Sequence, residues 1–264
     1  MRFWGSATLA TGVNLTSYSL TSGDPGTWIR LTVLEQRPGY TDASANSTAQ
    51  LTSLGTITTA TPTISGVATY PSALTANFTG FSPSDGTYTV TWLRSDTSGG
   101  STTSLSTGTT TSTSASYSLT TGDAGKWISV TVSETRSGYA ATSAVASAPT
   151  QIALGTFTNT VLPTMSANPK VGVAVTSTNG TWSVTPDQGY TYQWARCTDA
   201  TCASSTDIPN ATSGTYTPVP AGVGLWLRLT VTASASGYNS ATASVIANAA
   251  TINGTLALAG SIAA

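Results

Sequence analysis

Apolar and polar residues alternate along three six-residue stretches of this chain. Ile29, Leu31 and Val33 are interleaved with Trp28, Arg30 and Thr32, and Ile128, Val130 and Val132 with Trp127, Ser129 and Thr131. Leu227, Leu229 and Val231 alternate in the same way with Trp226, Arg228 and Thr230. A period of two predicts half-buried antiparallel strands, with the aliphatic set facing a core and the tryptophans facing outward. Upstream, Tyr88, Val90 and Trp92 in TYTVTW, and Tyr190, Tyr192 and Trp194 in GYTYQW, fall on one face of a second strand.

The alternating stretches belong to a longer cassette found at Tyr18–Tyr40, Tyr117–Tyr139 and Tyr216–Tyr238. Trp28, Trp127 and Trp226 are separated by 99 residues each time, as are Gly39, Gly138 and Gly237. A period of about 100 is too long for a solenoid unit and suits a tandem array of small domains. Before each strand stands a tight corner, written Asp24-Pro-Gly26, Asp123-Ala-Gly125 and, without its acid, Gly222-Val-Gly224. After it, Arg37-Pro-Gly39, Arg136-Ser-Gly138 and Ala235-Ser-Gly237 predict hairpin turns. A final strand such as Tyr139–Ser147 is expected to close each domain. The boundaries that follow are 1–50 for a partial repeat lacking its first strands, 51–149 and 150–248 for whole repeats, and 249–264 for the start of another. Arg2-Phe3-Trp4 aligns with the central tryptophan strand, and Asn253-Gly254-Thr255-Leu256 with Leu54-Gly55-Thr56-Ile57 and Leu154-Gly155-Thr156-Phe157. The chain thus reads as a window on a longer array, or as a subunit whose residues 251–264 complete the first repeat of the next molecule by strand donation.

Gly180-Thr181-Trp182, Tyr192-Gln193-Trp194, Ile208-Pro-Asn-Ala-Thr212, Tyr216-Thr217, and Gly224 followed by Leu227 and Val231 closely resemble the immunoglobulin-like repeats of large secreted and surface-anchored bacterial proteins, actinobacterial ones in particular. The resemblance covers the third repeat fully, the second well, and the first from Trp4 onward. It implies an all-β fold, with tandem immunoglobulin-like β-sandwich domains in an extended array. Its functional implication is weaker, because one module can serve as stalk, adhesin arm or enzyme appendage. Gly222 departs from the Asp24 and Asp123 pattern, which puts the side-chain bond of the third corner in question.

Only 7% of residues are charged, against about 25% in ordinary soluble domains; Ser and Thr, roughly a third of the chain, wet the surface instead, and Thr suits strands. The net charge is −1 and no stretch clusters Lys or Arg, which argues against nucleic-acid partners. No apolar run reaches the about 20 residues of a spanning helix, so no membrane insertion is expected.

The chain has no histidine, and its ten acidic residues are scattered singly. That removes the usual general base and the commonest imidazole ligand, and no catalytic, cofactor or metal site is expected. Asp24, Gly26, Asp123, Gly125 and Gly224 are assigned a structural corner role. Glu35 and Glu134 lie near Arg37 and Arg136 and read as solvated surface pairs. Cys197 and Cys202 share one predicted hairpin loop; a zinc site would need two further ligands, and a local disulfide is expected, with an extracytoplasmic location if oxidised. Gly99–Tyr117, almost all Ser, Thr and Gly, reads either as a flexible or O-glycosylated segment or as a polar hairpin.

Trp28, Trp127 and Trp226 either pack over their own corners or form an outward surface for a glycan or protein partner. The function expected is a non-catalytic spacer or stalk in an extracellular, cell-surface protein, its partners being the neighbouring repeats. The alternatives are an adhesin or glycan-binding array using those tryptophans, and a filament subunit built by head-to-tail self-association.

Overall fold

The computed structural model describes residues 17–255. Apart from two short 3-10 turns, its regular elements are all strands. The chain divides into two compact units. Unit 1 holds the described residues up to Gly66 together with Leu74–Tyr117 and Ile128–Thr150; unit 2 holds Val67–Ala73, Ser118–Trp127 and the described residues from Gln151 on.

In unit 1 one sheet has the order Thr63–Gly66, Ala73–Asn77, Ser114–Ser118. A second runs Val145–Ala146, Trp127–Thr135, Thr87–Ser95, Thr102–Thr110. Two antiparallel sheets closed over one core make an immunoglobulin-like sandwich. Val130 and Val132 are fully buried, and the Tyr88 ring takes Phe78 and Phe81 at 5.0 and 5.6 Å. Each such side chain contributes roughly 1.5–3 kcal/mol of burial, which is what a chain so poor in charge has available to hold it together.

Unit 2 carries the sheet Ser205–Asp207, Gly189–Cys197, Trp226–Ser234, Ala241–Ile246. Its register sets Trp194 opposite Leu229 and Tyr192 opposite Val231. Trp194 is fully buried and donates its indole N–H to the Ser213 carbonyl at 2.7 Å, so the one polar atom of the ring is satisfied. Trp92 and Trp182 are buried as well.

Three features differ from the sequence expectations. Leu31 and Val33, expected in a core, are each 55% exposed. Among the described residues Val33 lies in Thr32–Glu35, which pairs with Ala43–Asn46, and Leu31 falls between that strand and Trp28–Ile29, which pairs with Gln50–Leu51. Trp4 and residues 256–264, on which the end alignments and strand donation rest, lie outside the described residues.

The closing strand of the second repeat is only Val145–Ala146. Hydroxyls replace part of its ladder: Glu134 N–H donates to Thr142 Oγ1 at 2.7 Å and Val130 N–H to Ser147 Oγ at 3.0 Å, a competition typical of Ser and Thr. Within Gly99–Tyr117, Thr102–Thr110 pairs antiparallel with the preceding strand Thr87–Ser95 as a polar hairpin, and Ser114–Ser118 crosses to the other sheet beside Ala73–Asn77.

Glu134 is not a surface residue. It is fully buried, and its Oε1 accepts the Gly86 N–H at 3.1 Å. Arg136 instead pairs with Asp85 at 2.8 Å and lies over the Tyr139 ring. Glu134 has the same parity as Ile128, Val130 and Val132, so the period of two already placed it inward.

Candidate functional site

The most regular constellation in the molecule is the corner of each repeat and the linker that docks on it. Asp24 is buried, and its carboxylate accepts from Thr21 N–H at 2.6 Å, Thr21 Oγ1 at 3.0 Å and Tyr18 Oη at 3.0 Å. The Thr21 N–H in particular holds this carboxyl below the ordinary carboxylate range. Asp123 repeats the arrangement, accepting from Thr120 N–H and Oγ1, both at 2.8 Å.

In the third corner no carboxylate is present, yet the turn has the same backbone bonds: Gly222 N–H to Val219 O at 2.9 Å and Leu225 N–H to Gly222 O at 3.0 Å. Pro220 opens the 3-10 turn there, and its fixed φ supplies part of the order that the acid supplies elsewhere.

Two residues after the acid position stands the glycine that meets the linker. Gly26, Gly125 and Gly224 all have φ of +78°. A Cβ on them would meet nothing within 4 Å, so glycine is required by backbone conformation and not by space. Their N–H groups donate to Thr52, Ile152 and Thr251 at 3.0, 2.8 and 2.9 Å. The same three linker residues donate back, to Thr27, Lys126 and Leu225 at 2.9, 2.8 and 2.9 Å. Ile152 and Thr251 are buried.

The next linker residue is held on its other side. Ala153 N–H donates to Ala68 O at 2.8 Å and Tyr70 N–H to Ala153 O at 3.1 Å; one repeat later Ile252 does the same with Pro169 and Val171 at 3.1 and 3.0 Å.

A second constellation joins the strand after the linker to the hairpin turn. Gly55 N–H donates to Gly138 O and Ala140 N–H to Gly55 O, both at 2.9 Å; Gly155 makes the same pair of bonds with Gly237 and Asn239. Tyr139 and Tyr238 lie over these glycines, so a Cβ at Gly55 or Gly155 would stand 2.7 Å from a ring carbon. In unit 2 the Tyr238 ring also meets Tyr70 edge-on at 5.1 Å and Phe157 at 5.8 Å, and burial raises its phenol pKa. The turn glycines touch a corner: the Cβ position of Gly138 is 3.0 Å from Ser22 Cα, and that of Gly237 is 3.3 Å from Thr121 Cα. Sequence alignment had placed Gly55 and Gly155 in register; their role was hidden because the tyrosines that cover them lie over 80 residues downstream.

The sequence-proposed tryptophans divide. Trp28 is 62% exposed, whereas Trp127 and Trp226 are half-buried; Trp226 stands opposite Cys197 in the sheet register. Cys197 and Cys202 are joined as a disulfide. Among the described residues no group of three or more His, Cys, Asp or Glu is placed to hold a metal ion, and no helix is long and apolar enough to cross a membrane.

No protein-family model and no curated protein matches this sequence. Among solved structures, a two-domain fibronectin type III segment of chicken tenascin is 14% identical, with a TM-score of 0.34, over 73% of this chain and 97% of that one. The Ca2+-stabilized adhesin with which an Antarctic bacterium reaches out and binds ice is 14% identical, with a TM-score of 0.35, over 88% of this chain and 58% of that one. The FN1-FN3 domains of chicken CNTN1 are 13% identical, with a TM-score of 0.27, over 83% of this chain and 78% of that one. These neighbours are tandem sandwich proteins and a bacterial adhesin.

Proposed function

We propose that this chain is a non-catalytic spacer whose repeats, bounded near residues 50, 149 and 248, hold some other part of an extracellular surface protein at a distance. The observation that carries the reading is the linker bonded in both directions to the preceding corner, at Thr52, Ile152 and Thr251 alike. A catalyst or a flexible tether has no use for that arrangement three times over. A spacer does, because a linker fixed by backbone hydrogen bonds resists bending at the point where a string of domains is otherwise softest. The Cys197–Cys202 disulfide supports an oxidising, extracytoplasmic setting.

Amide hydrogen exchange tests it. The Thr52, Ile152 and Thr251 amides are expected to be protected to the same degree as the Trp127–Thr135 and Trp226–Ser234 strands. Linker amides that exchange like those of a free peptide overturn the reading.

The exposure of Trp28 favours a second reading, an adhesive array that stacks this ring on a sugar or a protein partner. Saturable binding on a glycan panel that disappears in Trp28→Ala supports it; no binding across the panel rejects it.

A further inference from the structure

The second and third repeats differ at one position beside their central tryptophans. In unit 2 the register of Gly189–Cys197 against Ser205–Asp207 continues to Ile208, whose N–H donates to the Trp194 carbonyl at 2.8 Å. Ile208 is buried in one core with Trp194. In unit 1 the residue opposite Trp92 is Ser106, and the one opposite Val90 is Gly108. Both Ser106 and Gly108 are exposed. No aliphatic side chain from this strand closes the core there, and a cleft of about 200 Å³ opens onto it, lined by Val90, Trp92, Ser106, Gly108, Thr110 and Ala115. A Cβ added at Gly108 would meet nothing within 4 Å. The space suits a hydrocarbon side chain, since an apolar cavity of about 150 Å³ already takes benzene.

The cleft lies between two sheet edges, Thr102–Thr110 and Ser114–Ser118. Thr102–Thr110 is nine residues long and, among the described residues, pairs only with Thr87–Ser95. A register shift between Trp92 and Leu93 interrupts the pairing, and Ser106–Thr110 beside the cleft is regular. The strand carries no charge and no proline. Exposed edges are ordinarily blunted by charge, proline or shortness. Unit 2 follows that rule: its counterpart, Ser205–Asp207, has three residues, ends on an acid and follows the Cys197–Cys202 disulfide. The edge in unit 1 instead presents backbone N–H and C=O groups next to an open core.

We propose that this edge and cleft bind an extended, uncharged segment of a partner protein, which adds a strand beside Thr102–Thr110 and seats an aliphatic side chain over Val90 and Trp92. Backbone bonds along the edge supply affinity, and the cleft selects the alternate side chain. Ile208 indicates the chemistry of the occupant, because an aliphatic residue on an extended segment is what covers the matching tryptophan in unit 2. A second copy pairing through the same strand does not supply one: the residues it would turn toward the cleft are Ser106, Gly108 and Thr110. A charged segment would lose hydration there without gaining a partner. The surface is separate from the linker contacts, so it goes beyond the spacer reading.

The test uses the full chain and a capped synthetic peptide with the sequence of Ile128–Ser133, which is uncharged and aliphatic at alternate positions. Titration followed by amide NMR is expected to give saturable shifts at Thr102–Thr110 and at the Trp92 indole. A control peptide with its three aliphatic residues replaced by serine is expected to bind at least about tenfold more weakly, the weight of a buried aliphatic side chain. Ser106→Ile puts the residue of the third repeat into the cleft, and should abolish binding and raise the melting temperature. Gly108→Val fills the same space and provides the reading if Ser106→Ile fails to fold by circular dichroism. The absence of saturable shifts overturns the proposal. So does equal affinity for the control peptide, or binding that the filled variants retain. Shifts at the same amides that grow with chain concentration in the absence of peptide make a second copy the occupant, and overturn the assignment to a partner protein.

Discussion

The ring of Tyr139 occupies the place where a side chain at Gly55 would stand. A Cβ there would lie 2.7 Å from two ring carbons, while the Gly55 N–H and C=O are both bonded to the turn that carries the ring. The glycine cannot withdraw without giving up those bonds, nor can the tyrosine without exposing its ring. Gly55→Ala is therefore expected to destabilise unit 1 by about 1–3 kcal/mol, the usual range for overpacking. Tyr139→Ala is expected to cancel part of that cost, so a double-mutant cycle in urea should give a coupling well beyond additivity.

The corner acid can be removed where it exists and added where it does not. Asp123→Ala leaves the Thr120 N–H and hydroxyl without their acceptor and is expected to cost about 1.5–3 kcal/mol, as for hydrogen bonds to a charged group. Gly222→Asp has room, since its Cβ would lie 3.5 Å from Arg196 Nε, and is expected to raise the melting temperature. Calorimetry on both variants checks the pair.

Acid should weaken the fold through identifiable groups. Asp24, Asp187 and Asp199 are each held below the ordinary carboxylate range, by the Thr21 N–H, the Ser236 N–H and the Thr201 hydroxyl respectively. A depressed folded-state pKa gives stability that is present above the unfolded value, about 4, and is lost as pH falls through the folded one. Melting temperatures measured between pH 7 and pH 2 should drop at the acid end, and Asp24→Asn should flatten part of the drop.

At the alkaline end the sign reverses. Tyr88 is raised by burial and then by Glu134 and Asp85, and Tyr238 by burial and Tyr70. Their stabilisation is complete below the unfolded tyrosine value, about 10, and declines above it. Unfolding monitored by tyrosinate absorbance at high pH should show these phenols ionising with the unfolding transition.

Reducing the Cys197–Cys202 bond opens a loop with a sequence separation of 5 residues. The double variant Cys197→Ser/Cys202→Ser should lose about 2 kcal/mol, the low end for disulfides because the loop is short. The loss should fall on the sheet containing Gly189–Cys197, and amide exchange in Thr87–Ser95 of unit 1 should be unchanged.

Much of this was legible without coordinates. Strand positions followed from the period of two, the repeats from the 99-residue interval, and the corners from Asp-x-Gly, because each is a local constraint written in adjacent residues. Even buried Glu134 was encoded by parity, although an acid beside an arginine suggested the surface. What only the tertiary structure decided were the contacts that local sequence does not specify: Tyr139 over Gly55, Ile152 between Gly125 and Lys126, and which aliphatic faces close. Leu31 and Val33 alternate as well as Val130 and Val132 do, yet the first pair is exposed and the second buried. Alternation determines which way a side chain points; at Val130 and Val132 it is the facing sheet of Thr63–Gly66, Ala73–Asn77 and Ser114–Ser118 that excludes the water.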